Sequence, residues 1–389
     1  MVKKEFLEAI ATLTGLVIGA GVLGIPYVVA HAGFLTGLAD IVFIGLAILV
    51  INLYTGEIIL RTKENHQLTG YAEKYLGKFG RRFMIFSMIF GLYGALLAYT
   101  IKEGEFLHAI FSFFFGGNPV IYSILFFVIA AFLVHRGFQA IEDSELVMMG
   151  FVLIVVLLIV ALSFSSIKIE NLSSFSASKI FVPYGVVLFA YLGMASIPEM
   201  KKELKKEMHL FKKAIIIGSL ISIFVYIFFA LTVVGVTGVE NVTDGAILGL
   251  AKVLGSKMLF IGTIFGVLTM ATSFLACGLA LKDMYCDDFK LKKQKSFYIT
   301  CLVPLIIFFL MILLKVEHAF FKVLDITGAL AGGILGILIV LMFWKAKKLG
   351  NRNPEYSLNK NSVLGYILII MFLFGMIYEI LKIMGVLTL

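Results

Sequence analysis

A chain of 389 residues in which 61% are hydrophobic and only 15% are charged does not have the composition of a soluble globular protein, where about 25% of residues are charged. The three cysteines form no C-x-x-C pair, so neither a disulfide framework nor a zinc site is indicated. The formal net charge of +9 would suggest nucleic acid only if the basic residues formed a soluble surface, and their distribution follows membrane topology instead. The composition therefore predicts a polytopic membrane protein.

Eleven apolar stretches reach or approach the roughly 20 residues that a helix needs to cross a bilayer. Because a backbone in lipid must satisfy its own hydrogen bonds, and because the alternating ten-residue segments of a β-barrel are not seen, we expect an all-α integral membrane protein with 11 transmembrane helices in one domain, 1–389. Between the seventh and eighth stretch, Ala246–Leu254 has the spacing of a short helix. The predicted spans 1 to 11 are, in chain order, 6–32, 35–60, 83–110, 119–135, 140–164, 180–200, 211–235, 257–281, 297–314, 319–344 and 363–384.

Lysine and arginine residues are concentrated in alternate loops. Of the 33, 25 precede span 1 or follow spans 2, 4, 6, 8 and 10, seven lie on the other side, and Lys102 lies within span 3. The positive-inside rule then predicts a cell-membrane protein with a cytoplasmic N-terminus and an extracellular C-terminus. Topology explains the charge, and no nucleic-acid partner is expected.

Two spans carry a glycine-rich interruption. The pattern G-x-x-x-I-P occurs at Gly21–Pro26 in span 1 and again at Gly193–Pro198 in span 6. The residues Gly19–Gly24 also fit the dinucleotide fingerprint, but both flanks are apolar and membrane-like, and the soluble strand–turn–helix unit that this interpretation requires is not found around them. Small residues also allow close helix packing, which stays an alternative. Paired breaks in corresponding halves favour the binding site of a secondary transporter.

A break in a membrane helix is costly, since each unpaired backbone group in an apolar medium costs about 2–7 kcal/mol. In span 1, a new helix start around Gly21–Leu23 would offer N–H groups to a carboxylate. In span 6, the carbonyls of Phe189, Ala190 and Tyr191 would suit an ammonium group. A single site that accepts both groups is suited to bind an amino acid.

Three segments resemble amino acid/auxin permease-type transporters of the amino acid-polyamine-organocation superfamily, particularly the bacterial and archaeal aromatic amino acid permeases. These segments are Gly15–Gly33, Phe189–Glu199 and Ala271–Leu275, the last followed by Gly278 and Asp283. The resemblance covers nearly the whole chain.

The resemblance implies the leucine-transporter-type fold, a 5+5 inverted repeat with discontinuous helices 1 and 6. Repeat one would cover about 1–165, repeat two about 175–345, and an extra helix about 363–384. It also implies that the chain is not an enzyme and has no cofactor. Its activity would be secondary transport of a neutral amino acid, aromatic side chains included, by alternating access coupled to H+ or Na+.

By position, the resemblance places the substrate site on spans 1, 3, 6 and 8. The substrate-binding candidates are Ile18, Gly19, Gly21, Val22, Tyr93, Phe189, Ala190, Tyr191, Gly193 and Ser273. If the coupling ion is sodium, its ligands would be Gly15, Ile18, Thr269, Thr272 and Ser273, and no other metal site is expected. The alternative for these hydroxyls is bonding to their own helix backbone. Spans 1, 2, 6 and 7 would rock against spans 3, 4, 8 and 9.

Charges within the spans are few. Lys102 and Glu105, near the outer end of span 3, can pair and are expected to reach the membrane interface. Asp325 in span 10 is a candidate gate or proton carrier. An amino acid exchanger, an organic-cation or polyamine carrier and a non-transporting receptor stay open, whereas a channel filter or an enzymatic cluster is not found in the sequence. The expected partners are a small amino acid and the lipid bilayer.

Overall fold

The computed structural model describes residues 4–136 and 145–386, so the predicted beginning of span 5, at 140–144, lies outside the described residues. Within these ranges the chain is helical and contains no β-strand. The α-helices, joined in places by short 3₁₀ turns, are α1 Lys4–Val17, α2 Ala20–Ala32, α3 Phe34–Leu60, α4 Leu68–Phe115, α5 Pro119–Arg136, α6 Glu145–Ser163, α7 Tyr184–Ala190, α8 Ile197–Glu203, α9 Phe211–Asn241, α10 Ile247–Leu254, α11 Ser256–Asp287, α12 Lys293–Leu313, α13 Ala319–Thr327, α14 Gly333–Leu349 and α15 Ser362–Ile383.

The number of spanning helices differs from a simple count of eleven. In the described part of the chain, nine helical segments are long and apolar enough to cross a bilayer, and the bent pair α1 and α2 makes a tenth. The predicted span 6 consists of α7 and α8, two helices of seven residues each that are too short to cross alone. The predicted short helix between spans 7 and 8 is confirmed as α10.

Helix α4 begins much earlier than predicted. Span 3 was expected to start at residue 83, but α4 starts at Leu68 and changes direction at Gly77, which has a φ of +71°. The basic residues Lys74 and Lys78 made this segment look like a loop, although Leu68, Tyr71 and Tyr75 form a buried stripe with helical spacing. The segment is therefore an amphipathic extension of the helix.

The basic loops meet at one end of the bundle, which we name the basic face. There Lys201 Nζ donates to Asn65 Oδ1 at 3.0 Å, and Arg352 Nη1 donates to the carbonyl of Leu60 at 2.8 Å. The carboxylate of Glu57, fully buried, accepts from Lys347 Nζ at 2.5 Å. The loops after α3, α8 and α14 are thus held together.

The helices form two groups. Helices α1, α2 and α3, of spans 1 and 2, pack around α9 of span 7, whereas α7 of span 6 contacts α2 and α3 but packs most extensively on α13 and the 328–332 turn of span 10. Helices α4, α5, α11 and α12, which correspond to spans 3, 4, 8 and 9, form the other group. The two breaks in regular helix lie within the first group and face the second, so the fold places them at the contact between the groups.

Candidate functional site

The first break separates α1 from α2. Ile18 and Gly19 lie outside helix, and the axes of the two helices differ by 53°. Helix α2 starts at Ala20, and no side chain caps it at Gly19. Because the first N–H groups of a helix have no acceptor within it, those of Ala20 and Gly21 are directed away from α2 and can bind an anionic group.

The second break, predicted near 190–193, is also present. Helix α7 ends at Ala190, and regular helix resumes only at Ile197 after a 3₁₀ turn. Pro198 lies in the first turn of α8, where its missing N–H costs no hydrogen bond. The chain is thus discontinuous in corresponding places of spans 1 and 6.

The two breaks touch each other. A Cβ placed on Gly21 would lie 2.4 Å from the Cα of Ala190, and one placed on Gly193 would lie 2.3 Å from Cγ2 of Val17. The hydroxyl of Tyr226, in α9, lies 2.7 Å from both the Val17 and the Ala190 carbonyl oxygen. One side chain therefore bridges both breaks, and it already occupies one of the carbonyls that we expected to bind an ammonium group.

A mainly apolar cavity adjoins the breaks. The first cavity holds about 740 Å³ of empty space, including its mouth, and reaches Leu68 beside the basic face. Four of the predicted substrate residues line it, namely Gly19, Gly21, Phe189 and Ala190.

A second, more polar cavity continues from the first, with which it shares Leu16, Leu92, Ala195 and Cys277. The hydroxyls of Thr269 and Thr272 donate to the carbonyls of Phe265 and Leu268 in their own helix, so only their lone pairs face outward. All five residues of the predicted ion set line this cavity: Gly15, Ile18, Thr269, Thr272 and Ser273.

Four predicted substrate residues are not among those that line either cavity in the described part of the chain. Val22 and Gly193 are buried in helix contacts, and the Tyr191 hydroxyl donates to the carbonyl of Ile41 at 3.0 Å. The Tyr93 hydroxyl contacts that of Tyr285 at 2.9 Å and donates to the Ile299 carbonyl at 3.0 Å. Tyr93 thus lies between α4, α11 and α12 rather than at the cavity wall.

Helix α4 contributes cavity residues that no sequence motif marks. Ser87, Gly91, Ala95 and Tyr99 follow one another at intervals of four and all line the first cavity. A Cβ on Gly19 would lie 3.1 Å from the Tyr99 hydroxyl, which places this phenol at the first break. The four-residue spacing is visible in the sequence, but the 83–101 stretch is apolar on all sides, so nothing there marks which side faces the cavity.

Close packing separates the two breaks from the end of the bundle opposite the basic face. We name that end the closed side. Lys102 is fully buried, which corrects the expectation that it reaches the interface. The predicted pair with Glu105 is confirmed, at 2.5 Å, and Lys102 also binds Asp244 in the loop before α10, at 2.9 Å. Its ammonium lies 4.6 Å from the ring centre of Phe320 in α13. One lysine thereby joins three segments across the closed side.

We expect Lys102→Met to lower the thermal stability of the protein. The substitution leaves two carboxylates without their cation, and breaking a buried ion pair costs about 3–5 kcal/mol. Because Glu105 and Asp244 are partly exposed, the cost should lie at or below the lower end of this range. Thermal unfolding in detergent measures it against Lys257→Met, which removes an exposed lysine. Equal melting temperatures for the two variants would contradict the bridging role.

Asp325 lies in α13, also on the closed side. It is buried and ion-paired with Lys382 of α15, which in turn lies 3.6 Å from Glu379. A role as gate or proton carrier remains a prediction, and any such role would require this contact to break.

Comparison with known proteins identifies a family and several relatives for this chain. The model of the tryptophan/tyrosine permease family matches residues 2–381. Tyrosine-specific transport system 1 of Haemophilus influenzae is 27% identical over 359 residues, which cover 86% of this chain and 87% of that protein. Glutamine transporter 2 of Aliivibrio fischeri is 24% identical over 310 residues, covering 76% and 78% of the two chains.

A solved structure shares the fold. The crystal structure of MhsT in complex with L-phenylalanine superposes with a TM-score of 0.70 at 15% identity and covers 97% of this chain and 98% of that one. At this identity the likeness shows the fold alone.

Proposed function

The chain belongs to the tryptophan/tyrosine permease family, and from this premise we propose that it is a secondary active transporter for a neutral amino acid of the aromatic class. The observation that carries the proposal is the contact between the two helix breaks beside a mainly apolar cavity. As a permease it is expected to move its substrate unchanged, without enzymatic chemistry or a cofactor.

The breaks supply polar recognition in an otherwise apolar wall. The N–H groups at the start of α2 suit the carboxylate of an amino acid, and the Tyr99 hydroxyl can donate to the same group. The second lone pairs of the Phe189 and Ala190 carbonyls can receive the ammonium group. The side chain then occupies the first cavity, whose apolar lining favours a large hydrophobic group.

For coupling, we propose an ion, either sodium bound beside the breaks or a proton carried within α4. The lone pairs of the Thr269, Thr272 and Ser273 hydroxyls and the carbonyls of Gly15 and Ile18 are the ligands that sodium would use in the second cavity. The proton alternative points to Glu103 in α4, fully buried, whose two oxygens have no hydrogen-bond partner in the described part of the chain. A buried carboxyl group within a membrane helix is a candidate functional group.

The transport cycle that we propose is alternating access. The two groups of helices would rock against each other, following a 5+5 inverted repeat with α15 added. The cavities reach the basic face, and the positive-inside rule puts that face and the N-terminus in the cytoplasm. The described conformation would then be open to the cytoplasm and closed outside by Lys102 and Asp244.

The lining of the site distinguishes among other classes of substrate. A glutamine carrier, which one relative's name suggests, would need free side-chain partners for an amide, and the lining of the first cavity offers few. A polyamine carrier would need carboxylates in the substrate cavity. The described residues that line the first cavity include no aspartate or glutamate. An exchanger would share the site and differ only in lacking ion dependence.

Uptake by the purified protein in proteoliposomes tests the proposal. We expect uptake of labelled L-tyrosine, L-tryptophan or L-phenylalanine above that of L-glutamine and putrescine, driven by either an imposed sodium gradient or an imposed pH gradient. Loss of pH-driven uptake in Glu103→Gln, with counterflow preserved, would support the proton. If only counterflow is observed, the protein is an exchanger. If none of the twenty amino acids is taken up or raises the melting temperature, the proposal is wrong.

A further inference from the structure

We infer that the wall of the first cavity formed by Ser87 and Gly91 against Ala331 is the specificity-determining part of the site. It limits the size of the substrate side chain and selects aromatic rings that carry an N–H or O–H donor. The inference rests on the proposed function, which it makes more specific.

One strip of the α4 wall is nearly flat, although Met88 and Leu92 of the same helix also line the cavity. Ser87, Gly91 and Ala95 line the cavity on successive turns and project little or nothing beyond the backbone, until Tyr99 closes the row. A row of small side chains two turns long leaves room for a planar group laid against the helix.

The wall continues on span 10, where an irregularity in the helix shapes it. Between α13 and α14 the residues 328–332 form a π-helical turn, and Ala331 and Leu335 line the cavity there. A π-turn inserts an extra residue into a helix and often marks a functional site. On the closed side of the turn, a Cβ on Gly94 would lie 2.2 Å from Thr327 Oγ1, so the two helices are in full contact there. Contact continues at Ser87, whose Oγ lies 2.7 Å from the Ala331 carbonyl oxygen, so α4 and span 10 together form one wall of the cavity.

Gly91 is different from the other two glycines that line this cavity. A Cβ on Gly21 would meet the Ala190 backbone at 2.4 Å, and one on Gly19 would meet Ser273 Oγ at 3.0 Å. A Cβ on Gly91 would meet only the Cβ of Ala331, at an ordinary contact distance of 3.5 Å. A methyl group at residue 91 is therefore compatible with the fold, and its cost falls on the ligand that shares the space.

Ser87 sets the polarity of the same wall. Its hydroxyl donates to the Ala331 carbonyl at 2.7 Å, so its single proton is already committed. What Ser87 can offer a ligand is a lone pair, which accepts from the O–H of a phenol or the N–H of an indole. A plain phenyl ring makes no such bond, so Ser87 distinguishes tyrosine and tryptophan from phenylalanine.

The size limit is tested by competition among L-tryptophan, L-tyrosine, L-phenylalanine and L-leucine for uptake into proteoliposomes. Gly91→Ala should lower the tryptophan to phenylalanine ratio at least about tenfold, since one methyl group in an apolar pocket changes discrimination about 10- to 200-fold. Ala331→Gly should shift the same ratio the opposite way. Gly150→Ala, which adds a methyl group in α6 with no atom within 4 Å, is the matched control. Unchanged ratios in both variants would overturn the size limit.

The donor preference is tested by Ser87→Ala, measured as the tyrosine to phenylalanine ratio. Because these substrates differ by one hydroxyl, loss of one acceptor should lower the ratio roughly two- to tenfold. An equal loss of tyrosine and phenylalanine uptake would show that Ser87 has only a structural role, and it would overturn the donor preference. If the unchanged protein transports none of the four amino acids, the proposed function fails instead, so the two failures are distinguishable.

Discussion

Replacement of Gly21 by leucine should abolish amino acid binding while the protein still inserts into the membrane. Even the first atom of the new side chain would lie 2.4 Å from the Ala190 Cα, and backbone in a packed break cannot move away as a flexible side chain can. Gly193→Leu should act in the same way from the other break, because its Cβ would lie 2.3 Å from Val17 Cγ2.

The expected loss of affinity is at least a hundredfold, or about 2.8 kcal/mol, measured by thermal-shift titration and by uptake. Gly150→Leu is the control, because it adds the same side chain at a site with open space around it. Size-exclusion profiles should show that all three variants are inserted and folded. Undiminished uptake by both Gly21→Leu and Gly193→Leu would contradict the assignment of the breaks as the binding site.

Tyr226→Phe should reduce transport about tenfold or more. The substitution keeps a fully buried ring, which packs 4.9 Å from that of Tyr191, and removes only the hydroxyl. The carbonyls of Val17 and Ala190 then lose a shared donor, and an unsatisfied buried group costs about 1–3 kcal/mol. We expect the two breaks to separate slightly, which affects the geometry of binding more than the stability of the protein.

The matched control is Tyr54→Phe, which removes a buried hydroxyl that has no hydrogen-bond partner in the described part of the chain. That ring is stacked 3.8 Å from Phe343, away from both breaks. Transport kinetics should show a raised KM in Tyr226→Phe and wild-type values in Tyr54→Phe. If the two variants behave alike, Tyr226 is a packing residue and not a positioning residue.

The breaks were predictable from sequence because they depend on local composition. Glycine and proline at Gly21–Pro26 and Gly193–Pro198 weaken a helix wherever the helix lies. The resemblance to a known family then gave their relative placement, and the structure confirms that they adjoin.

The side chains around the breaks were less predictable. Tyr93 and Tyr99 lie six residues apart within or beside the 83–101 stretch of α4, which is apolar on all sides, so no hydrophobic stripe shows which tyrosine faces the cavity. Tyr226 belongs to no motif, and its role arises from carbonyls 36 and 209 residues away along the chain. The burial of Lys102 likewise depends on Asp244, 142 residues later.

The ion pair between Lys382 and Asp325 has a consequence for biosynthesis. Asp325 is buried in α13, and its counter-charge comes from a helix that is translated 57 residues afterwards. Until α15 emerges from the ribosome and inserts, the preceding bundle carries an acid that is costly to leave unneutralised in lipid. A chain truncated before Lys382 would thus leave Asp325 without its counter-charge inside helices that were synthesised earlier. Quality-control proteases would then encounter a nearly complete bundle with an unpaired buried acid.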